Sequence, residues 1–192
     1  MFFLLKPAER EVRHFLAAQE ASQLSYPDVG KSRVGTSPGG YGTDHNRIQL
    51  GTGIETFERA KSAIQRWKMF EMPWLQLCWP DVPIMLGTNV AILISHLGFW
   101  SLNAARIVYL VEDHGPCERY GFAYGTLPDH GERGEERFTV EFRSEDESVW
   151  YDLFAFSRPG MAARIAYPLA RSLQKRFGVD SQRAMQRAVQ TA

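Results

Sequence analysis

The sequence predicts an α+β fold in which a curved antiparallel β-sheet wraps around a long C-terminal helix. After residue 73, short apolar segments with alternating polar residues follow one another, and short polar turns separate them. Consecutive strands with short turns favour an antiparallel meander over βαβ units. The last apolar segment changes to four-residue steps, which are typical of a helix; its apolar positions are Met161, Ile165, Leu169, Leu173 and Phe177.

The composition is that of a soluble domain with a substantial core. The chain has 192 residues, of which 44% are hydrophobic and 12% are aromatic. Basic and acidic residues both number 22, so the formal net charge is zero and nothing suggests a nucleic-acid partner. The apolar run Phe2 to Leu5 is too short for a membrane span or a signal peptide. Cys78 and Cys117 lack metal-ligand spacing, so we expect a cytoplasmic protein with no metal and no cofactor.

Two helices are predicted before the sheet. Pro7 to Ser22 has a proline suited to a first helical turn, and Ile54 to Phe70 has a buried apolar stripe. Between them, Val34 to Thr43 is rich in glycine and has no periodicity, so it is predicted as a loop, and its role is left open. His45 to Leu50 is a candidate short strand.

The strands of the sheet are predicted from alternating or aromatic runs bounded by proline, glycine or acidic turns. They are Trp74 to Trp79, Asn89 to Leu97, Arg106 to Glu112, Tyr120 to Leu127, Glu135 to Arg143 and Val149 to Ser157.

The C-terminal helix is predicted from Pro159 to Phe177. Pro168 lies inside its pattern and is expected to kink it. Gly178 is expected to end it, and a short polar helix then reaches Thr191. We divide the chain into an N-terminal helical extension, residues 1–23, and a single domain, residues 24–192.

The strand Tyr120 to Leu127 predicts empty space beside the sheet. Gly121, Ala123 and Gly125 lie on one face of this strand, and aromatic residues including Tyr124 lie on the other. The small face leaves room for a ligand cavity or for close packing by a helix or a neighbouring chain.

Six segments resemble the domain-of-unknown-function family nineteen-ninety: LSYPDVG, GTGIETFERAKSAIQRW, NAARIVYL, YGFAYGTLPDHGERGEERF, VWYDLFAFSRP and PLARSLQKRF. They keep the family's order from about residue 24 to about residue 186, and the long ungapped fourth segment is the most specific. The family has no established activity. Its order of strands and helices is similar to the helix-grip fold of START lipid-transfer domains and polyketide cyclases. The resemblance therefore implies a hydrophobic ligand pocket and supplies no catalytic residues.

One candidate site is the loop that contains His130 and several carboxylates. A carboxylate can orient and charge an imidazole for proton transfer, and such a set can also bind a divalent metal. Acidic hairpin loops also occur for solubility alone. Glu135 and Glu136 point to opposite faces of their strand, so one of them is expected to face inward, with Arg106 or Arg158 as its ion-pair partner.

The remaining candidates lie on or after the last strand. Arg158 is suited either to an acidic ligand group or to a salt bridge at the strand–helix junction. Asp152 interrupts an apolar strand, so it is either buried and paired or exposed at an edge. The predicted ligand-binding residues are Tyr124, His130, Glu135, Trp150, Asp152 and Arg158.

These observations favour a protein that binds a small hydrophobic or amphipathic ligand between the sheet and the C-terminal helix. One alternative is an enzyme of cyclase or hydrolase type that uses the same pocket, with His130 and Glu135 as acid and base. Another is a partner-binding domain whose small-residue face docks a second chain.

Overall fold

The framework of the computed structural model, which describes residues 1–160 and 167–190, is an eight-stranded antiparallel sheet. Its strands are β1 (Phe2–Phe3), β2 (Gly42–Thr52), β3 (Leu75–Cys78), β4 (Asn89–His96), β5 (Phe99–Asp113), β6 (Cys117–Thr126), β7 (Glu132–Arg143) and β8 (Ser148–Pro159). Their order across the sheet is β2-β8-β7-β6-β5-β4-β3, and β1 pairs with β5. From β3 to β8 each strand pairs with the next along the chain, so the predicted meander is confirmed.

Three helices cover this sheet in the described part of the chain: α1 (Glu9–Ala18), α2 (Ile54–Gln65) and α3 (Tyr167–Gln190). Short 3₁₀ turns lie at Lys31–Val34 and Lys68–Phe70. Helices α2 and α3 contact each other and pack on one face, which we call the inner face. Helix α1 packs on the opposite, outer face against β4. The sheet curls around α3 as the sequence predicts.

The inner-face core follows from period-two alternation in the central strands. Phe122 of β6, Phe138 of β7 and Tyr151 of β8 point inward and are fully buried. They pack with apolar residues of α2 and of the C-terminal half of α3, among them Ile64 and Met185. Full burial of each large apolar side chain contributes about 1.5–3 kcal/mol to folding, so this cluster holds the helices to the sheet.

Helix α3 continues through Gly178 to Gln190, so the predicted stop at Gly178 and the separate last helix are wrong. The glycine allows a close contact instead, since a Cβ atom there would lie 2.6 Å from Nδ2 of Asn46 on β2. Pro159 is the last residue of β8 and does not begin the helix. The predicted helical residues 161–166 lie outside the described residues, and the kink at Pro168 stays a prediction.

The outer face is covered by the N-terminal region. Val12 and Phe15 of α1 are buried against β4 and β5. Tyr26 lies over the small-residue face of β6, where a Cβ atom at Gly125 would be 2.3 Å from its Oη. The chain itself therefore fills the space beside Gly125 by close packing, and Ala123 is completely buried. The division at residue 23 stays a prediction.

Candidate ligand-binding cavity

The two ends of the inner face differ in how they are filled. At one end, which we call the filled end, Phe57 and Ile64 of α2 and Val189 of α3 pack against Val140 and Val149 of the sheet. At the other, which we call the open end, the described residues surround a cavity of about 600 Å³ between the sheet and residues 170–178 of α3. This volume lies within the range of about 300–1,000 Å³ that is usual for small-molecule sites.

Most of the cavity wall is apolar. The sheet contributes Ile92, Ile94 and Leu153, and α3 contributes Leu173 and Phe177. Phe70, Trp74 and Leu75 supply the rest of this surface from the segment that leads into β3. Binding of an apolar molecule that displaces water from a wall of this kind is favourable in free energy.

The polar part of the wall comes from several elements and includes the first residues of β7. Glu136 lies on the same face as Phe138 by strand alternation, and Tyr124 Oη donates a hydrogen bond of 2.6 Å to its Oε2. Gln174 Nε2 donates to Glu132 and also to Ser157 Oγ, the latter at 2.7 Å. Two carboxyl groups therefore face an otherwise apolar space.

Burial controls the charge of these carboxyl groups. It raises the pKa of Glu136 to about 8, although the hydrogen bond from Tyr124 acts in the opposite direction, and the nearby Glu132 and Asp44 add to the rise. Burial also raises the pKa of Glu132, against hydrogen bonds from Gln174 and Ser157. Glu136 is therefore largely protonated at neutral pH, when the cavity holds no cation.

His130 lies in the cavity wall. Its Nδ1 accepts a 3.0 Å hydrogen bond from the backbone N–H of Glu132, which leaves the proton of the neutral ring on Nε2. Burial lowers its pKa to about 4. The ring is therefore neutral at physiological pH and is suited to donate one hydrogen bond.

Glu135 contributes to the cavity wall, but its carboxylate bonds to the outer layer. It accepts hydrogen bonds from Tyr26 Oη at 2.6 Å, from the Gly30 backbone N–H at 2.8 Å and from the Ser32 backbone N–H at 3.0 Å. The predicted ion pair with Arg106 or Arg158 is therefore wrong. The actual partners are neutral hydroxyl and amide donors from the segment before β2, more than a hundred residues away in sequence.

Trp150, Asp152 and Arg158 do not line the cavity. Asp152 is buried on the outer face, where its Oδ1 lies 2.6 Å from Arg137 Nη2 and its Oδ2 lies 2.7 Å from His45 Nε2. Trp150 and Arg158 form cation–π contacts on the same side. The Arg47 guanidinium lies 4.4 Å from the Trp150 ring, and the Arg158 guanidinium lies 4.7 Å from the Tyr41 ring. Of the six predicted site residues, three thus lie together in the cavity wall: Tyr124, His130 and Glu135.

The predicted set of ligand-binding residues left out four that contribute to the polarity of the cavity: Glu136, Asp44, Glu132 and Gln174. Strand alternation contained a signal for Glu136, because it is two residues before Phe138 and four before Val140 on one face. Glu132 is one of the carboxylates of the His130 loop, whereas Asp44 and Gln174 had no signal, since their roles depend on how β2, β7 and α3 meet at the open end.

A curled antiparallel sheet that surrounds a long C-terminal helix, with a cavity between them, defines the helix-grip class of folds. Among solved structures, that of Ara h 8.0201 matches with a TM-score of 0.51 and covers 80% of this chain and 100% of its own. The two sequences are 10% identical, so this likeness concerns the fold alone.

The chain belongs to the family described as a domain of unknown function, DUF1990, whose model matches residues 25–184. A UPF0548 protein from Dictyostelium discoideum is 33% identical over 98% of this chain and 96% of its own length. A UPF0548 protein from Deinococcus radiodurans is 36% identical over 98% of both chains. The similarity to these relatives thus includes helix α1, which precedes the family match.

Two absences characterise residues 1–160 and 167–190. No helix within them is long and apolar enough to cross a membrane. No group of histidine, cysteine, aspartate and glutamate side chains among them is arranged to hold a metal ion.

Proposed function

We propose that this protein binds a small hydrophobic or amphipathic molecule in the cavity between the sheet and α3. The observation that supports this proposal is the apolar space of about 600 Å³ at the open end, beside a tightly packed core at the filled end. Buried apolar walls that lack contacts on one side forgo dispersion energy, and a bound apolar molecule would restore it.

The polar groups of the wall favour an amphipathic ligand over a purely apolar one. Glu136 and Gln174 present hydrogen-bonding atoms at the open end, and His130 presents one ring N–H. A few polar groups in an apolar pocket fix the orientation of a ligand and provide specificity.

The proposal is tested with the neutral dye Nile red, whose fluorescence rises in apolar surroundings. Ala155 of β8 lines the cavity, and Ala155→Phe places a ring inside it. Ala18→Phe, at the exposed end of α1, is the matched control. We expect wild type and Ala18→Phe to bind the dye equally well and Ala155→Phe to bind it at least about tenfold more weakly, because a phenyl group occupies the space. Equal binding by all three proteins would contradict the proposal.

Native mass spectrometry of the purified protein tests occupancy directly. We expect a reproducible extra mass that organic extraction removes and identifies. The Ala155→Phe protein, purified in the same way, should lack it. An extra mass that survives in Ala155→Phe would show that the bound molecule lies elsewhere.

An enzymatic role in the same cavity is the second candidate, and one observation favours it. Glu136 has a pKa of about 8 and accepts a hydrogen bond from Tyr124, so it is suited to proton transfer near neutral pH. Glu136 and Tyr124 thus take the place of the acid–base pair predicted from the sequence, His130 and Glu135, because the Glu135 carboxylate bonds to the outer layer. We expect Glu136→Gln, saturated with the extracted ligand, to abolish its conversion. An unconverted ligand in wild type would exclude catalysis on it.

The partner-docking alternative rests on the small-residue face of β6, where Tyr26 packs on Gly125 in the folded chain. We therefore do not propose it. We do propose a cytoplasmic location, which the unpaired thiols of Cys78 and Cys117 support.

A further inference from the structure

We propose that the ligand of the open-end cavity carries a cationic amine, which lies against Glu132 and Glu136 while its apolar part lies along α3. This inference rests on the proposed function and specifies the chemical class of the ligand. It concerns the polar wall of the cavity, and the experiment below separates its failure from the failure of binding itself.

The carboxyl groups of the cavity differ from other carboxylates of the molecule in their direct pairing, although the charge of Arg171 acts on Glu132 and lowers its pKa. Asp44 pairs with Arg171, and on the outer face Asp152 pairs with Arg137. Within residues 1–160 and 167–190, neither Glu132 nor Glu136 has an ion-pair partner. Buried carboxylates are normally paired, because an isolated one loses its hydration without compensation. A cationic ligand would provide that compensation.

The hydrogen bonds already present leave room for such a ligand. Tyr124 engages one oxygen of Glu136, and Gln174 engages one oxygen of Glu132. A carboxylate has about four acceptor positions on its two oxygens, whereas a protonated primary amine has three donors. The amine therefore complements both carboxyl groups without displacing their protein partners.

The same wall disfavours an anionic amphiphile. A fatty-acid carboxylate at this position gains no counter-charge from Glu132 or Glu136, and it is repelled across an apolar space whenever either group is ionised. A fatty alcohol brings no charge, so it gains the apolar contacts alone. The expected order of affinity is amine, then alcohol, then carboxylate, at equal chain length.

The protonation of Glu136 provides an independent readout. Its pKa of about 8 in the empty cavity must fall when a cation lies beside it, so amine binding at neutral pH releases a proton. Affinity for the amine should therefore rise as the pH increases through about 8 and then level off, because the alkylamine itself stays protonated up to about pH 10. The titratable and charged groups that surround Glu136 from the neighbouring elements are Asp44 of β2, Tyr124 of β6, Glu132 of β7, Tyr151 of β8 and Arg171 of α3.

The test compares decylamine, decanol and decanoate as competitors for Nile red in the full chain. We expect decylamine to bind about tenfold or more tightly than decanol, because a charge-assisted hydrogen bond is stronger than one between neutral groups. Glu136→Gln should weaken decylamine by about tenfold, leave decanol unchanged and remove the rise in amine affinity with pH. Glu145→Gln, an exposed position in the β7–β8 turn, is the matched control and should behave as wild type.

The outcomes separate the two claims. If decanoate binds as tightly as decylamine, or if Glu136→Gln affects all three competitors equally, the amine inference is overturned while ligand binding stands. If Nile red binds wild type and Ala155→Phe equally well, the binding proposal fails first, and the amine inference fails with it.

Discussion

The filled and open ends of the inner face are built on the same strands and yet differ in packing. At the filled end, Phe57 and Ile64 of α2 interlock with the sheet, and Met185 of α3 is fully buried beside them. At the open end no residue of α2 lines the cavity, and α3 faces the strands together with Phe70 and Trp74 from the segment before β3. The cavity therefore lies where α2 does not cover the sheet. The strands that border it also build the close-packed core at the filled end.

Polarity separates the two ends as clearly as packing does. The filled end satisfies its buried hydroxyls internally, as in the 2.8 Å hydrogen bond between Tyr151 and Ser181. The open end instead exposes Glu132 and Glu136 to the cavity, where burial raises the pKa of both. A protein that only needed a stable core would gain nothing from these carboxyl groups, so their presence favours a role in recognition.

Removal of matched isoleucine side chains should give the largest contrast. Ile64 is completely buried at the filled end, whereas Ile94 lines the cavity. We expect Ile64→Ala to lower the free energy of unfolding by about 4 kcal/mol, since it leaves a void in a close-packed cluster. Ile94→Ala should cost about 1 kcal/mol, because its side chain already borders empty space. Urea denaturation measures both, and equal losses would show that the open end is packed as tightly as the filled end.

Insertion of a large side chain should also destabilise the filled end more than the open end. Ala60 of α2 is fully buried, so Ala60→Phe should destabilise the fold by about 3 kcal/mol through overpacking. Ala155→Phe, in contrast, projects into the cavity and should cost less than about 1 kcal/mol. A severe loss in Ala155→Phe would mean that the cavity has no room for a ring.

The pH dependence of stability should report Glu136. Its pKa of about 8 in the folded state exceeds the ordinary value of 4.5, so the folded chain retains a proton that the unfolded chain releases between these values. Stability from this group is therefore full below about pH 4.5 and declines as the pH rises through about 8. Glu136→Gln should remove the decline, and above pH 8 its free energy of unfolding should exceed that of wild type by roughly 2 kcal/mol. This difference is smaller than the full pKa shift implies, because the carboxyl group is partly exposed to the cavity. Parallel curves of unfolding free energy against pH for Glu136→Gln and wild type would contradict the buried location of this carboxyl group. The control Glu145→Gln should give a curve parallel to that of wild type.

The smallest expected effect concerns the contact between α3 and β2 beside the cavity. Gly178→Ala places a methyl group against the Asn46 amide and should cost about 1 kcal/mol, net of the better helix propensity of alanine. The double variant with Asn46→Ala relieves the contact and should recover the loss in thermal denaturation. If Gly178→Ala alone stabilises the protein, the helix does not lie this close to β2.

The fold was readable from the sequence where side-chain periodicity directly reflects burial. Alternation located β4, β6 and β7 closely, and short apolar or aromatic runs located β3 and β8. The beginning of β5 was missed. Ser101 and Asn103 are polar residues that line the cavity, so the segment from Phe99 lacks the apolar pattern of a strand.

The candidate site was only partly readable, because its residues come from distant parts of the chain. Proximity to His130 in sequence does not distinguish Glu135 from Glu136. Only the face of β7 that Phe138 defines identifies Glu136 as the inward-facing residue. The hydrogen bond from Tyr26 to Glu135 joins residues 109 positions apart, and no local pattern predicts such a pair. Gly178 was misread for the same reason, since its close contact with Asn46 exists only in the folded chain.

Methyl NMR of a protein labelled at isoleucine, leucine and valine tests the central claim most directly. On titration with decanol, which is neutral and so independent of the amine inference, we predict shifts in the methyl signals of the cavity wall: Ile92, Ile94, Leu153 and Leu173. The signals of the filled end should stay in place: Ile64, Val140, Val149 and Val189. Shifts confined to the filled end or to Val12 and Leu93 on the outer face, or no shift at all, would contradict a ligand-binding cavity at the open end.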